Sequence, residues 1–218
     1  MSPELIPAPG ALWLPLNWLV QPRCPLCRHA PARCTCATAA ELPTGGLQGR
    51  RPLAWWAAGA YQGRLRGVIL ELKREPRQRA LEWLVDRALP ALPPLASAPL
   101  LVPIPSWKRR HRANQLPSRL ACVAAKRLGG RSLDLLGRSR PVLGQHHLAR
   151  PLRLTNQQGA FHCGQPARRH QRHQPLLLVD DILTSGATAL AASEALELAG
   201  WSVRGLLCLA RTPERQRR

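Results

Sequence analysis

Leu176-Leu177-Leu178-Val179-Asp180-Asp181-Ile182-Leu183-Thr184-Ser185-Gly186-Ala187-Thr188 joins an apolar run, two adjacent acids and a hydroxyl-rich turn that opens a helical pattern. Leu176 to Val179 shows no alternation of apolar and polar residues, which predicts a strand covered on both faces and therefore a parallel sheet between helices. Asp180 and Asp181 fall at the carboxyl end of that strand, where open α/β sheets place their ligands. Successive side chains of an extended segment point opposite ways, so the two acids are expected to address different groups, a sugar hydroxyl or a metal-bound water, instead of chelating together. From Leu183 to Thr188 the backbone turns into a helix. Thr184, Ser185, Gly186, Ala187 and Thr188 there offer hydroxyls, a close backbone approach and free helix-start amides, an anion cradle suited to a phosphate monoester. The plainer alternative is a capped helix, with Thr184 or Ser185 as N-cap and solvated acids. The Asp-Asp pair directly before Thr-Ser-Gly-Ala-Thr favours the binding site.

At 218 residues the chain suits one principal α/β domain with a small appendage. Its charge is the outlier: 32 Lys+Arg against 12 Asp+Glu give a net +20. Only Lys73, Lys108 and Lys126 are lysines, leaving 29 arginines. A coding bias toward Arg, Ala, Pro and Gly explains arginine in place of lysine. It does not explain the excess of basic over acidic residues, which points to a polyanionic partner such as nucleic acid. The apolar stretch Ala11 to Val20 is broken by Pro15 and Asn17 and is too short to span a bilayer. Met1-Ser2-Pro3-Glu4 lacks the basic start of a signal peptide. A cytoplasmic protein without membrane insertion is expected, in which cysteines serve metal binding more than disulfides.

Cys24, Cys27, Cys34 and Cys36 lie within thirteen positions. Thiolates so spaced can converge on one tetrahedral ion and fold a segment too small for a core of its own, which predicts a structural zinc knuckle. The second pair is separated by one residue, tighter than usual, so His29 is an alternative ligand. Leu42 to Pro52 reads as a linker, Leu53 to Tyr61 as a strand, Leu65 to Leu72 and Leu81 to Leu92 as helices, and Leu100 to Ile104 as a buried strand. Trp55 and Trp56 are expected in the core. Lys73 ends its helix, where it either reaches a phosphate or compensates the helix terminus. Lys108, Arg109, Arg110 and Arg112 follow the strand at Leu100 to Ile104 and face the same edge as Asp180 if the sheet is parallel, a place to meet pyrophosphate or DNA. A helix to Leu128 follows, then a long excursion from Arg138 to His173, the central motif, a helix from Ala187 to Leu198 and a strand from Trp201 to Ala210. Pro213 to Arg218 reads as a basic tail.

The stretch from Leu176 to Thr188 resembles the phosphoribosyl pyrophosphate (PRPP) signature of type I phosphoribosyltransferases. Several spaced features are similar to ComF-type competence proteins: Ala60-Tyr61-Gln62-Gly63 with Leu65-Arg66 and Lys73, the Val-Pro-x-Pro segment with Asn114-Gln115, then Gln145, Leu148, Arg153, Asn156 and Gly159-Ala160-Phe161, and finally Arg211-Thr212. His111-Arg112-Ala113 departs from the family's usual Arg-Gly-Phe. The resemblance implies a zinc knuckle over 20–41 and a type I phosphoribosyltransferase-like domain over 53–212, flanked by 1–19 and 213–218. It implies that Asp180 and Asp181 meet the ribose hydroxyls, that Leu183 to Thr188 wrap the 5′-phosphate, and that Mg²⁺ accompanies PRPP. It further implies a part in natural competence, handling single-stranded DNA alongside DNA-uptake proteins. The alternative is a catalytically active phosphoribosyltransferase of nucleotide metabolism.

Overall fold

The unbroken apolar runs become the inner strands of one sheet. The computed structural model describes residues 23–106, 115–139 and 159–213. Six strands lie in the order β1 (Leu47–Gly49), β2 (Trp55–Ala60), β8 (Ser202–Arg211), β7 (Pro175–Leu183), β3 (Leu100–Pro103) and β4 (Arg131–Ser132). β1 runs antiparallel to β2, whereas the other pairings are parallel. A separate hairpin pairs β5 (Leu136–Arg138) with β6 (Phe161–Cys163).

Helices cover both faces, as parallel strands require. On one side α1 (Gly63–Arg74), α2 (Gln78–Ala88) and α3 (Leu116–Leu128) share a core with Trp56, Leu101, Leu177, Val179 and Leu207. On the other, α4 (Ala187–Leu198) and the β5/β6 hairpin pack with Trp55, Leu100, Leu176, Leu178 and Leu206. Consecutive residues of β7 thus enter opposite cores, which is the physical reason its sequence has no polar alternation. Trp55 and Trp56 are both buried, one on each face.

Several boundaries differ from the sequence reading. The strand carrying the acids continues to Leu183, because its ladder with β8 runs through Leu183 and Arg211. The stretch expected as a linker contains the edge strand β1. The second helix begins at Gln78 and gives way at Ala88 to a 3₁₀ turn over Leu89–Ala91, where Pro90 interrupts the α-helical bonding. Within the excursion expected from Arg138 to His173, Arg138 pairs with Phe161 in the β5/β6 hairpin, and Phe161 is a buried anchor.

The cysteine-rich segment has no core of its own. Leu26, Cys36 and Leu42 join the core formed by α1, α2 and α3. Arg77 donates to the carbonyls of Pro25 and Leu26, each at 3.0 Å. The carbonyl of Glu41 accepts from the N–H of Ala60 at 2.8 Å, so the chain leaving the cysteines lies against the end of β2. A Cβ on Gly59 would collide with that same carbonyl oxygen.

Gly59→Ala is therefore expected to destabilise the protein by about 1–3 kcal/mol through overpacking. Gly67→Ala, in the middle of α1 where a Cβ meets open space, should stabilise it by about 0.5–1 kcal/mol. Urea unfolding of the two variants checks the opposite signs.

Candidate functional site

β7 delivers Asp180 and Asp181 to the carboxyl edge of the sheet within its last four residues. The two side chains diverge, as alternation requires. Asp181 is buried and its Oδ2 lies 3.0 Å from Lys73 Nζ at the end of α1. Asp180 is half-buried, and its Oδ1 accepts the N–H of Asp181 at 2.8 Å. Burial first, and the neighbouring Asp181 carboxylate second, push the Asp180 carboxyl up to about 8, against the opposing pull of that N–H, Lys73 and Arg138.

The loop beyond β7 is held from behind. Arg211, buried at the end of β8, donates to the carbonyl oxygens of Leu183, at 3.2 Å, and of Thr184. In a trans peptide the N–H points opposite to the C=O, so turning these carbonyls toward Arg211 turns the N–H groups of Thr184 and Ser185 away from it. The N–H groups of Thr184, Ser185 and Gly186 make no hydrogen bond among the described residues. Gly186, at φ 80°, is the N-cap of α4, so the plainer alternative of a helix capped by Thr184 or Ser185 does not hold. Its left-handed conformation suits glycine, and a Cβ there would run into Pro52. Ser185 Oγ accepts from the N–H of Ala187 at 3.4 Å. Thr184 is exposed, and Ser185 and Thr188 are half-buried.

The amino ends of α1 and α4 differ in how they are finished. At α1, a Glu41 carboxylate oxygen accepts the N–H of Arg64 at 2.7 Å, so the protein supplies its own anion to that terminus. At α4 no acidic residue lies in the first turn and no side chain caps the helix from Gly186. The start of α4, directly beyond the acid pair, has no such internal anion.

Arg211 and Arg138 are site residues that the sequence did not assign to roles. Arg211 lies with its guanidinium 5.7 Å from the Trp55 ring, and Trp55 in turn donates to the carbonyl of Arg51 at 3.1 Å, beside Pro52. Arg138 stacks over Phe161 at 4.5 Å and donates through Nε to the carbonyl of Pro105 at 2.9 Å, just beyond β3. One of its terminal nitrogens is buried without a hydrogen-bond partner among the described residues. Burial lowers the Arg138 pKa and the charge of Asp180 opposes that shift. Neither arginine has a local sequence signal, since each acts on a segment remote along the chain. Lys108, Arg109, Arg110 and Arg112 lie outside the described residues, as do Asn114, Gln145, Leu148, Arg153 and Asn156.

The sulfurs of Cys24, Cys27, Cys34 and Cys36 all lie within 4.8 Å of one another. Zinc–sulfur bonds of about 2.3 Å place tetrahedral sulfurs about 3.8 Å apart, and Cys27 and Cys34 are separated by 3.7 Å. The N–H of Cys36 points to Cys34 Sγ at 3.4 Å, and Arg64 donates to Cys36 Sγ at 3.7 Å. Burial pushes the Cys36 thiol up to about 12 while the Arg64 hydrogen bond pulls it down. A divalent cation would offset the cost of four thiolates packed together. The cluster could thus hold a zinc ion. His29 is exposed and stands outside it, so the closely spaced second pair supplies both remaining sulfurs.

Two outcomes are expected. Mass spectrometry of the native protein should find one zinc per chain, lost in Cys36→Ser and retained in His29→Ala. Because Leu26 and Cys36 sit in the main core, chelation should lower the melting temperature of the whole protein. For Asp180, the folded carboxyl keeps its proton to about pH 8, whereas an unfolded one releases it near pH 4. The folded state binds more protons through that window, so this group makes stability fall as pH rises across it. Asp180→Asn should flatten that slope in unfolding curves measured from pH 5 to 8.

No family model matches the chain. It is 31% identical over 115 residues to the DNA utilization protein YhgH of Salmonella typhi, a match covering 51% of this chain and 49% of that protein. The proteins of the same name from Escherichia coli K12 and Shigella flexneri are 32% and 31% identical over the same length and with the same coverage. The chain therefore spans about half the length of the curated relatives it matches.

Proposed function

We propose that this is a ComF-like cytoplasmic protein whose β7 edge binds PRPP or a related phosphoribosyl ligand, and which handles single-stranded DNA in natural competence together with DNA-uptake proteins. The observation that carries the ligand is the start of α4: three amides without acceptors among the described residues, at a helix end without its own anion, directly beyond two carboxyl groups on a parallel strand. That combination suits a phosphate held next to a sugar diol. The type I phosphoribosyltransferase-like domain is read over 53–212 and the zinc knuckle over 20–41. The net charge of +20 and the relatives named for DNA utilization support the nucleic-acid part.

In this reading Thr184, Ser185 and Gly186 present amides to the 5′-phosphate, with Leu183, Ala187 and Thr188 framing the turn. Asp180 and Asp181 meet the ribose hydroxyls from opposite sides of the strand. Lys73, with the basic run at Lys108, Arg109, Arg110 and Arg112, takes the pyrophosphate charge. Asp181 already engages Lys73 at 3.0 Å, so a pyrophosphate drawing on Lys73 exchanges one ion pair for another. Mg²⁺ would screen the pyrophosphate charge and arrive with the ligand. Asp180 and Asp181 do not form a chelating pair for it, because they diverge and one is committed to Lys73.

Calorimetric titration with PRPP and Mg²⁺ above pH 8, where the Asp180 carboxyl is ionised, should show binding, with affinity falling about tenfold or more in Asp180→Asn or Asp181→Asn, as loss of a charged hydrogen bond implies. An undiminished affinity in the double variant would overturn the site. Pyrophosphate release in the presence of bases or amines would select the phosphoribosyltransferase alternative over binding alone.

A further inference from the structure

We propose that the groove between the zinc knuckle and α1 is a track for single-stranded nucleic acid, which it holds by the phosphodiester backbone and leads to the β7 edge. The proposal rests on the nucleic-acid part of the function above and locates it. The groove encloses about 1260 Å³ and is walled by the knuckle from Leu26 to His29, by the exposed side of α1 and by Gln115 ahead of α3.

Its charge is arranged for a polyanion. Arg28, Arg64, Lys73, Arg74 and Arg77 line it, against two acids, Glu71 and Glu75. These cations divide by what holds them. Arg77 is committed to structure: it spans Glu71 at 3.3 Å and the carbonyls of Pro25 and Leu26, and so fixes the knuckle as the outer wall. Arg64 ties the same wall through Cys36. Arg74 is exposed and has no partner among the described residues. Arg28 meets Glu75 only at 3.9 Å, with side chains 60% and 79% exposed. An exposed pair of that kind contributes little, so a phosphate can take its place. At the inner end stands Lys73, whose other contact is Asp181. The groove therefore reaches the lysine that pairs with Asp181 at the β7 edge.

The apolar part of the lining is Leu26, Val68 and Pro76, and the imidazole of the exposed His29 is its one aromatic ring among the described residues, with no Phe, Tyr or Trp. With one imidazole and the single amide of Gln115 in place of a row of aromatic platforms or base-reading amides, the groove would grip the backbone and tolerate any sequence. An acidic peptide matches the charge as well, but the evenly repeated phosphates of a strand complement cations spaced from Arg28 to Lys73 along a continuous channel.

The test compares charge-matched variants by fluorescence anisotropy of a labelled oligothymidylate across a salt series. Arg28→Gln with Arg74→Gln changes the groove. Arg169→Gln with Arg172→Gln removes two exposed charges just ahead of β7, at the opposite edge of the sheet. The groove variant should bind about tenfold more weakly, with the slope of log affinity against log salt reduced by about 1.4, two contacts at about 0.7 each for a single strand. The control should stay within about twofold of the unmodified protein, and all three should melt alike. Equal losses in the two variants would overturn the groove while leaving DNA binding in place. Tighter binding of a duplex of equal length, or displacement of the strand by poly-glutamate of equal charge, would also overturn it. Absence of binding by the unmodified protein would overturn both the groove and the DNA-handling function.

Discussion

The Lys73–Asp181 ion pair joins the first helix to the central strand at the point where that strand stops being apolar. A carboxylate buried at such a place without a partner is costly, and an ammonium at 3.0 Å removes much of that cost. Asp180, one position earlier, has no cation in direct contact among the described residues and keeps its proton into the neutral range, with its carboxyl pushed up to about 8. The edge thereby avoids two adjacent, uncompensated negative charges by opposite means. The same arrangement leaves Lys73 between the acid pair and the groove along α1, so whatever engages that lysine from one side alters the electrostatics of the other.

The loop after β7 shows how a short turn can be held ready without help from its own side chains. Arg211 takes its carbonyls, Pro52 fills the space over Gly186, and Trp55 lies near the arginine while bonding back to Arg51. These supports come from β2 and β8 and from the segment preceding β2. The loop's amides are left facing the other way. Glu41 closing the start of α1 makes the contrast physical: one helix terminus has an internal anion, and the other does not.

The knuckle belongs to the architecture more closely than its small size suggests. Its apolar residues enter the main core and Arg77 fastens its carbonyls, so metal binding, the wall of the groove and the stability of α1 and α2 are linked. A closed site of four thiolates supplies rigidity that a short, proline-interrupted segment cannot obtain from its own burial.

Leu176 to Thr188 announced a buried strand, an acid pair and a turn into a helix because each depends on residues adjacent in the chain. The paired cysteines were legible for the same reason. The strand's continuation to Leu183 was not, since it depends on the ladder with β8, and the edge strand within Leu42 to Pro52 exists only because β2 is there to receive it. Exclusion of His29 from the cysteine cluster required the folded path of the knuckle. What the sequence by itself determined was therefore the chemistry present: a doubly covered strand, two carboxyl groups, a hydroxyl-rich turn, four thiols and a large excess of arginine. Only the tertiary structure decided which cation meets which acid, which arginine holds the loop and which helix end stays open. Those choices follow from strand order and burial, which bring together residues far apart in the chain and leave no periodic trace along it.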